Sequence, residues 1–374
     1  MKRFISFILT TSLLLTLTAC GGNAADTNAG ATEQTSVEAS VTTETIAVET
    51  ATTETADATA ETAAEASSVE ATVYPVTVTD QAGRSVTIEK EPETVVSGYY
   101  ISTSLLIALG QESKLVGIEA KADKRAIYKL SAPELIDLPN VGTAKEFDLE
   151  GCAALHPDLV ILPMKLKEAA ASLEELGITV LLVNPEDQTL SDEMRILVAT
   201  AMNCKEASAK LAQFISTQQD TLQAATKDAE RPTVYLAGNS SFLSTAGAAM
   251  YQNSLIELAG GQNVAAEIAD TYWAEIDYEQ LLAWNPEYII LAADADYTVE
   301  DVLADENLAG CTAVQNKNVY HMPNKAESWD SPVPGSILGA VWLNSVLQDS
   351  VSEDNANAII EEFYETFYGF SYNR

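Results

Sequence analysis

Two seventeen-residue stretches of this chain follow one pattern. Residues 147–163 read FDLEGCAALHPDLVILP and residues 276–292 read IDYEQLLAWNPEYIILA; aligned without gaps they agree at six positions, Asp148/Asp277, Glu150/Glu279, Ala154/Ala283, Pro157/Pro286, Ile161/Ile290 and Leu162/Leu291. Unrelated segments of that length would agree at about one, and long-period self-similarity is what duplicated units leave behind. Each aspartate suits a helix N-cap. Each proline ends the helix and forces an extended entry into the apolar run that follows, which reads as a buried strand. Generic packing of two βα units is the competing reading. The duplicated reading predicts two α/β lobes, each carrying the same helix–proline–strand unit. Ligands of such sheets sit beyond the carboxyl ends of the strands, so two facing lobes make one cleft.

The rest of the body fits that outline. Alternating β-branched residues at 76–79 and 85–88 flank Asp80-Gln81-Ala82-Gly83-Arg84 and predict a hairpin. Strands are expected at 95–96, 114–118, 159–162 and 179–183, with helices at 104–109 and 165–176. A second series follows, with strands at 234–237, 288–291 and 319–321 and a helix at 252–258; residues 337–347 and 357–368 read as terminal helices. Between the two series, residues 191–227 read as one long helix stopped by Pro232, with Leu211, Ile215 and Leu222 on its apolar face. Such βα alternation points to mainly parallel sheets.

The N-terminal region is of another kind. Lys2 and Arg3 precede an apolar run at 4–17, then Leu17-Thr18-Ala19-Cys20 and Gly21-Gly22. The run is too short for a spanning helix and reads as a secretory signal. Its close resembles a bacterial lipobox, which implies cleavage before Cys20 and lipid on its sulfur. Residues 21–72 hold no aromatic residue, no Lys and no Arg, but ten acids. That composition predicts a disordered acidic stalk. The expected organisation is a signal peptide at 1–20, the stalk at 21–72, an N-terminal lobe at 73–190, an interlobe helix at 191–230 and a C-terminal lobe at 231–374. The formal net charge is −35, from 20 Lys and Arg against 55 Asp and Glu. A chain so acidic is a poor nucleic-acid binder.

Five strings follow one another along the chain: Val78-Thr79-Asp80-Gln81-Ala82-Gly83-Arg84 with Val95-Val96; Leu138-Pro139-Asn140-Val141-Gly142 with Asp148-Leu149-Glu150; His156-Pro157-Asp158-Leu159-Val160-Ile161; Ala259-Gly260-Gly261-Gln262-Asn263-Val264; and the stretch from Trp273 through Glu279 to Asn285-Pro286. On these residues the sequence resembles the substrate-binding lipoproteins of ABC importers for iron–siderophores, haem and cobalamin, the Fe/B12 periplasmic-binding family. The similarity runs over about residues 76–368. No one motif is specific; their order and spacing together are. Gly151-Cys152 after Glu150 and Glu287 after Pro286 depart from the usual pattern. The resemblance implies two Rossmann-like α/β lobes with mainly parallel sheets, joined by one long rigid helix and closing modestly on ligand.

It also implies roles. One glutamate on each lobe would dock into arginine-lined pockets of the permease, and the matching residues are Glu150 and Glu279, mates in the repeat. Exposed acids favoured at a helix N-terminus are the plainer reading. Cleft candidates lie in loops at strand ends: Tyr99, Tyr100, Asn239, Phe242, Trp273, His321 and Trp329, with Ser240, Glu327 and Ser328 beside them. Planar ligands favour aromatic walls, although each aromatic taken alone also suits core packing. Lys121, Lys124 and Arg125 form a basic island, either a solvated patch or a partner for siderophore or propionate anions. Tyr128 could stack or ligate iron. His321 next to Met322 is either an axial ligand or a hydrogen-bonded histidine; His156 reads as structural. Cys152, Cys204 and Cys311 read as small buried hydrophobes, with one disulfide open.

The functional expectation is an extracytoplasmic, lipid-anchored receptor, a monomer with no catalysis and no cofactor of its own. It would capture a metal chelate, a ferric siderophore first, cobalamin or haem as alternatives, and hand it to the permease and ATPase. It would touch the membrane through the lipid alone, on the cell surface or in the periplasm. Bare-metal binding usually draws on several histidines, and the chain has two. An α/β hydrolase would need a GxSxG elbow, which the sequence lacks. A surface adhesin is the remaining alternative.

Overall fold

The computed structural model describes residues 70–269, 271, 273–348 and 350–373. The leader, Cys20 and the acidic stretch up to residue 69 lie outside the described residues. The first lobe contains, in order, β1 (Val76–Thr79), β2 (Ser85–Ile88), β3 (Val95–Ser97), α1 (Tyr100–Ala108), β4 (Leu115–Ile118), α2 (Ala126–Ser131), α3 (Leu149–Ala154), β5 (Leu159–Pro163), α4 (Lys167–Glu175) and β6 (Thr179–Val183). Its main sheet is fully parallel in the order β4-β3-β5-β6. Leu159, Val160, Ile161 and Leu162 of β5 are completely buried, as a strand covered on both faces must be. Each such side chain is worth roughly 1.5–3 kcal/mol of burial.

The hairpin β1–β2 is pinned to this sheet by its turn. Asp80 is buried, accepts from the backbone N–H groups of Ala82, Arg84 and Leu182, and pairs with the Arg84 guanidinium at 2.6 Å. The Asp-Gln-Ala-Gly-Arg string is therefore a turn whose first residue grips its last and the neighbouring strand.

Two helices follow, α5 (Gln188–Ala201) and α6 (Lys205–Thr226). The stretch read from sequence as one helix is broken at residues 202–204. Asn203 takes a left-handed backbone (φ 56°), a conformation asparagine tolerates better than most residues. Its side chain is used there: Asn203 Oδ1 accepts from the Thr72 N–H at 2.7 Å and Nδ2 donates to Glu91 at 2.9 Å. At 22 residues α6 spans about 33 Å.

The second lobe contains β7 (Thr233–Ala237), β8 (Ser244–Ala246), α7 (Tyr251–Leu258), β9 (Gln262–Asn263), β10 (Trp273–Glu275), α8 (Tyr278–Trp284), β11 (Tyr288–Leu291), α9 (Val299–Ala304), α10 (Thr312–Asn316), β12 (Val319–His321), α11 (Ser336–Leu347) and α12 (Glu353–Tyr368). β9, β7, β11 and β12 pair in parallel, and β8 and β10 add an antiparallel edge. The Ala-Gly-Gly-Gln-Asn-Val string has a steric cause. Gly260 sits at φ +87°, and a Cβ at Gly261 would come within 2.9 Å of Val234. Buried Asn263 then donates to Ala246 O and Asn253 Oδ1, both at 3.0 Å, tying the short strands together.

α6 packs on α5 and on α7 and α11 of the second lobe. α1 meets α12 across the same junction. One apolar cluster consequently runs from Val86 and Leu106 in the first lobe to Val234, Leu338 and Phe363 in the second. No described helix is long and apolar enough to cross a membrane.

Candidate functional site

The segments that leave the carboxyl ends of β3, β4, β11 and β12 meet at the lobe junction. The loops and helices leaving them enclose a cavity of about 180 Å³. Tyr100 and Ser104 reach it from α1, and Lys124, Arg125 and Tyr128 from the segment after β4. From the second lobe come Asp294 after β11, and Asn324, Glu327 and Ser328 after β12.

The first-lobe wall is cationic and aromatic. A 3₁₀ turn at Ala122–Lys124, entered through Lys121 in a left-handed backbone, lifts Arg125 to the head of α2. The Arg125 guanidinium lies 4.1 Å from the centre of the Tyr100 ring, a cation–π contact that fixes its plane. No carboxylate among the described residues forms an ion pair with it, whereas Lys124 pairs with Asp123 at 3.2 Å. Behind Tyr100 lies a buried polar cluster. Tyr128 donates to Glu119 Oε1 at 2.6 Å and Thr103 to Glu119 Oε2 at 2.7 Å. Ser97, Ser102 and Thr103 continue the chain of hydroxyls at 2.7 Å. Burial pushes the Glu119 carboxyl up, against those donors. Burial and the adjoining Glu119 push the Tyr128 phenol up as well.

The second-lobe wall is acidic. Glu327 is 6 % exposed. It accepts from Ser104 of the first lobe and from Tyr364 and Tyr368 of α12, at 3.5 and 3.3 Å for the two phenols. Burial pushes its carboxyl up to about 7, opposed by those hydrogen bonds. Asp330 is likewise buried, accepts from the Ala293 N–H at 3.2 Å, and is pushed up to about 6. Asp294 is exposed and accepts from Ser328 Oγ at 2.7 Å.

Of the residues singled out in the sequence, the structure gathers Tyr100, Arg125 and Tyr128 around the cavity, with Lys124, Glu327 and Ser328. The others do not line it. Tyr99 packs edge-on to Tyr100, with ring centres 5.4 Å apart, and belongs to the core. Phe242 packs on Tyr235 and Tyr297 in the second-lobe core. Trp329 is 1 % exposed, donates to the Tyr364 hydroxyl at 2.8 Å and stacks on Tyr372; it underlies the Glu327 loop. Asn239 is exposed beyond β7, and Trp273, 38 % exposed on β10, lies against Gly238. His321 ends β12 opposite Leu291. Among the described residues no three of His, Cys, Asp and Glu converge on a point that would hold an ion. Cys152, Cys204 and Cys311 are all buried free thiols. Glu119, Thr103, Ser104 and Asp294 were not anticipated. The signal for the hydroxyls was the Ser102-Thr103-Ser104 triplet inside an otherwise apolar helix.

The repeat appears in three dimensions as read. Asp148 caps α3, accepting from Gly151 N–H at 2.9 Å, and Asp277 caps α8, accepting from Gln280 N–H at 2.8 Å. The repeat mates His156 and Asn285 both turn the chain through a left-handed backbone, at φ 50° and 47°. Glu150 and Glu279 each stand second in their helix and are exposed.

Comparison with known proteins agrees with this architecture. The family model for periplasmic binding proteins matches residues 95–326. The molybdate-binding protein MolA of Haemophilus influenzae is 26 % identical over 323 residues, covering 79 % of this chain and 91 % of its own. A cobalamin-binding protein of Halobacterium salinarum is 25 % identical over 256 residues, 67 % of each chain. Among solved structures, a periplasmic solute binding protein from Veillonella parvula DSM 2008 matches with a TM-score of 0.69 at 24 % identity, covering 79 % of this chain and 93 % of that one. The family match takes in both main sheets and the cavity lining as far as Ala326, while Glu327, Ser328 and Val333 lie just beyond it. The chain belongs to the periplasmic binding protein family, the non-enzymatic substrate-binding components of ABC transporters.

Proposed function

We propose that this chain is the lipid-anchored receptor of an ABC importer, and that its interlobe cleft captures an anionic metal complex. The observation that carries the ligand class is Arg125. It is a guanidinium at the cavity wall, held by an aromatic face and in no ion pair among the described residues, with the buried Glu119 carboxyl near enough to feel its charge, in a chain of net charge −35. An arginine at a cavity wall that no carboxylate clamps in an ion pair is poised for an anion, which it can grip with two parallel hydrogen bonds. The cavity of about 180 Å³ falls below the roughly 300–1,000 Å³ of sites for drug-sized ligands. It suits a metal oxyanion or a compact ferric chelate. Haem or a corrinoid would need the lobes to part, and the cobalamin-binding relatives are the reason to keep that second reading.

Cys20 would carry the lipid, and the acidic stretch would space the receptor from the membrane. Glu150 and Glu279, exposed at equivalent places in the two lobes, would dock the loaded receptor onto arginines of the permease. A thermal-shift screen with molybdate, ferric siderophores, haem, cobalamin and free metal ions tests the ligand class. A ligand at 100 times its dissociation constant adds about 2.7 kcal/mol. A shift with an anionic complex is expected; a shift with free cations alone would contradict the proposal.

A further inference from the structure

We propose that Glu327 is the charge-selecting residue of the cleft, admitting an anionic ligand by taking up a proton as the ligand enters. The inference rests on the cleft reading above. Its geometry is that of a buried carboxyl forming part of the cavity wall among hydroxyls that can donate to its ionised form and accept from its protonated one: Ser104 and Tyr368 at Oε1, with the Tyr364 hydroxyl and the Gly335 backbone on its other side. Nothing cationic pairs with it; none of the ion pairs among the described residues includes it.

The other charged and titratable groups facing this region are few. Arg125 and Lys124 approach from the first lobe, with the Tyr100 and Tyr128 phenols beside them and Glu119 behind Tyr128. Asp294 closes the second-lobe side but is exposed, so water screens it. Asp330 lies on the same loop as Glu327, turned to the Ala293 backbone. An anion drawn in by Arg125 must therefore share a small, poorly screened cavity with the Glu327 carboxyl. Two negative charges so placed favour protonation of the buried one. Because that carboxyl already sits near neutrality, the proton comes at little cost at physiological pH. A neutral or cationic ligand gives no such drive.

The coupling has a sign and a size. If the ligand requires protonated Glu327, affinity falls as pH rises through the free-state value, by about tenfold between pH 6 and 8. About half a proton is taken up per ligand at pH 7. Two measurements decide the matter. In the ligand-free chain, carboxyl-labelled glutamate is titrated by carbon-13 NMR, with Glu327→Gln identifying the resonance. A Glu327 midpoint near 7 is expected, and a midpoint below 5 overturns the proposal. Calorimetry with molybdate, or with haem where molybdate gives no heat, is then run in buffers of different ionisation enthalpy. Proton uptake in the wild type is expected, absent in Glu327→Gln, which should bind at pH 8 with the affinity the wild type reaches at pH 6. Binding without uptake, or uptake that survives in Glu327→Gln, overturns it. If Arg125→Ala binds like the wild type, it is the cleft reading that fails. If Arg125→Ala weakens binding and affinity is flat in pH, the charge-selecting role alone fails.

Discussion

Replacing Glu327 with glutamine should change how the stability of the ligand-free protein depends on pH. In the folded chain the carboxyl is pushed up to about 7 from an ordinary value of 4.5, because burial penalises its charged form more than its donors compensate. Below pH 4.5 it is protonated in the folded and unfolded chains alike, and its contribution to stability is fully present. As pH rises from 4.5 through 7, the unfolded chain loses the proton first, so that contribution is progressively lost. A gap of about 2.5 pH units at about 1.4 kcal/mol each comes to about 3 to 4 kcal/mol in full, of which about 3 kcal/mol falls between pH 4.5 and 8. Glutamine cannot ionise and removes this dependence. Its amide would set an N–H group against one of the existing donors, which costs about 1 kcal/mol at every pH. The slope is therefore the observable. Urea denaturation of both proteins from pH 4.5 to 8 should show the stability difference moving toward the variant by about 3 kcal/mol. Asp330, pushed up to about 6, acts with the same sign in both proteins and cancels. Parallel profiles for the two proteins would refute the reasoning.

Other perturbations have definite outcomes. Asp80→Ala removes the buried acceptor that holds Arg84 and the Leu182 N–H, and should lower unfolding free energy by about 3 kcal/mol, measured in the same denaturation assay. Asp148→Ala and Asp277→Ala each delete an N-cap and should each cost about 1 kcal/mol. Nearly equal costs would reflect the repeat, while a large cost at one site with none at the other would show that the two units have diverged in mechanics. Charge reversal at both Glu150 and Glu279 should abolish uptake by cells or vesicles bearing the permease, with ligand affinity and stability unchanged; uptake at the wild-type rate would rule out the docking role.

Most strands are legible because they are short apolar, largely β-branched runs bounded by Gly, Pro or Asp, and the duplicated unit because both copies keep their capping aspartate and terminating proline; β8, β9 and β10, two or three residues each with no such run, are not. Nor is the break at residues 202–204. Met202-Asn203-Cys204 carries neither glycine nor proline, and it is the tie from Asn203 to Thr72 and Glu91 that occupies the turn. α1 starts at Tyr100, four residues before the sequence pattern indicates, for a related reason. Ser102, Thr103 and Ser104 look like helix-capping residues, yet they lie inside α1, with Thr103 and Ser104 satisfied by Glu119 and Glu327, 16 and 223 residues away. Such partners are fixed only by the fold. The aromatic candidates divided on the same ground. Tyr100 faces the cavity, while Trp329 is covered by α12 and the chain after it, elements no local pattern could position. Arg125 is legible as part of a basic island; its seat on the Tyr100 ring, outside any ion pair among the described residues, emerges only in three dimensions.

The most direct measurement is the affinity of the wild type and of Arg125→Ala for an anionic metal complex, determined by calorimetry at pH 7. Loss of a charge-assisted contact from a wall that is otherwise intact should weaken binding about ten- to a hundredfold, with unfolding free energy changed by less than about 1 kcal/mol. Equal affinities for the two proteins would place the ligand elsewhere and contradict the assignment of the interlobe cleft.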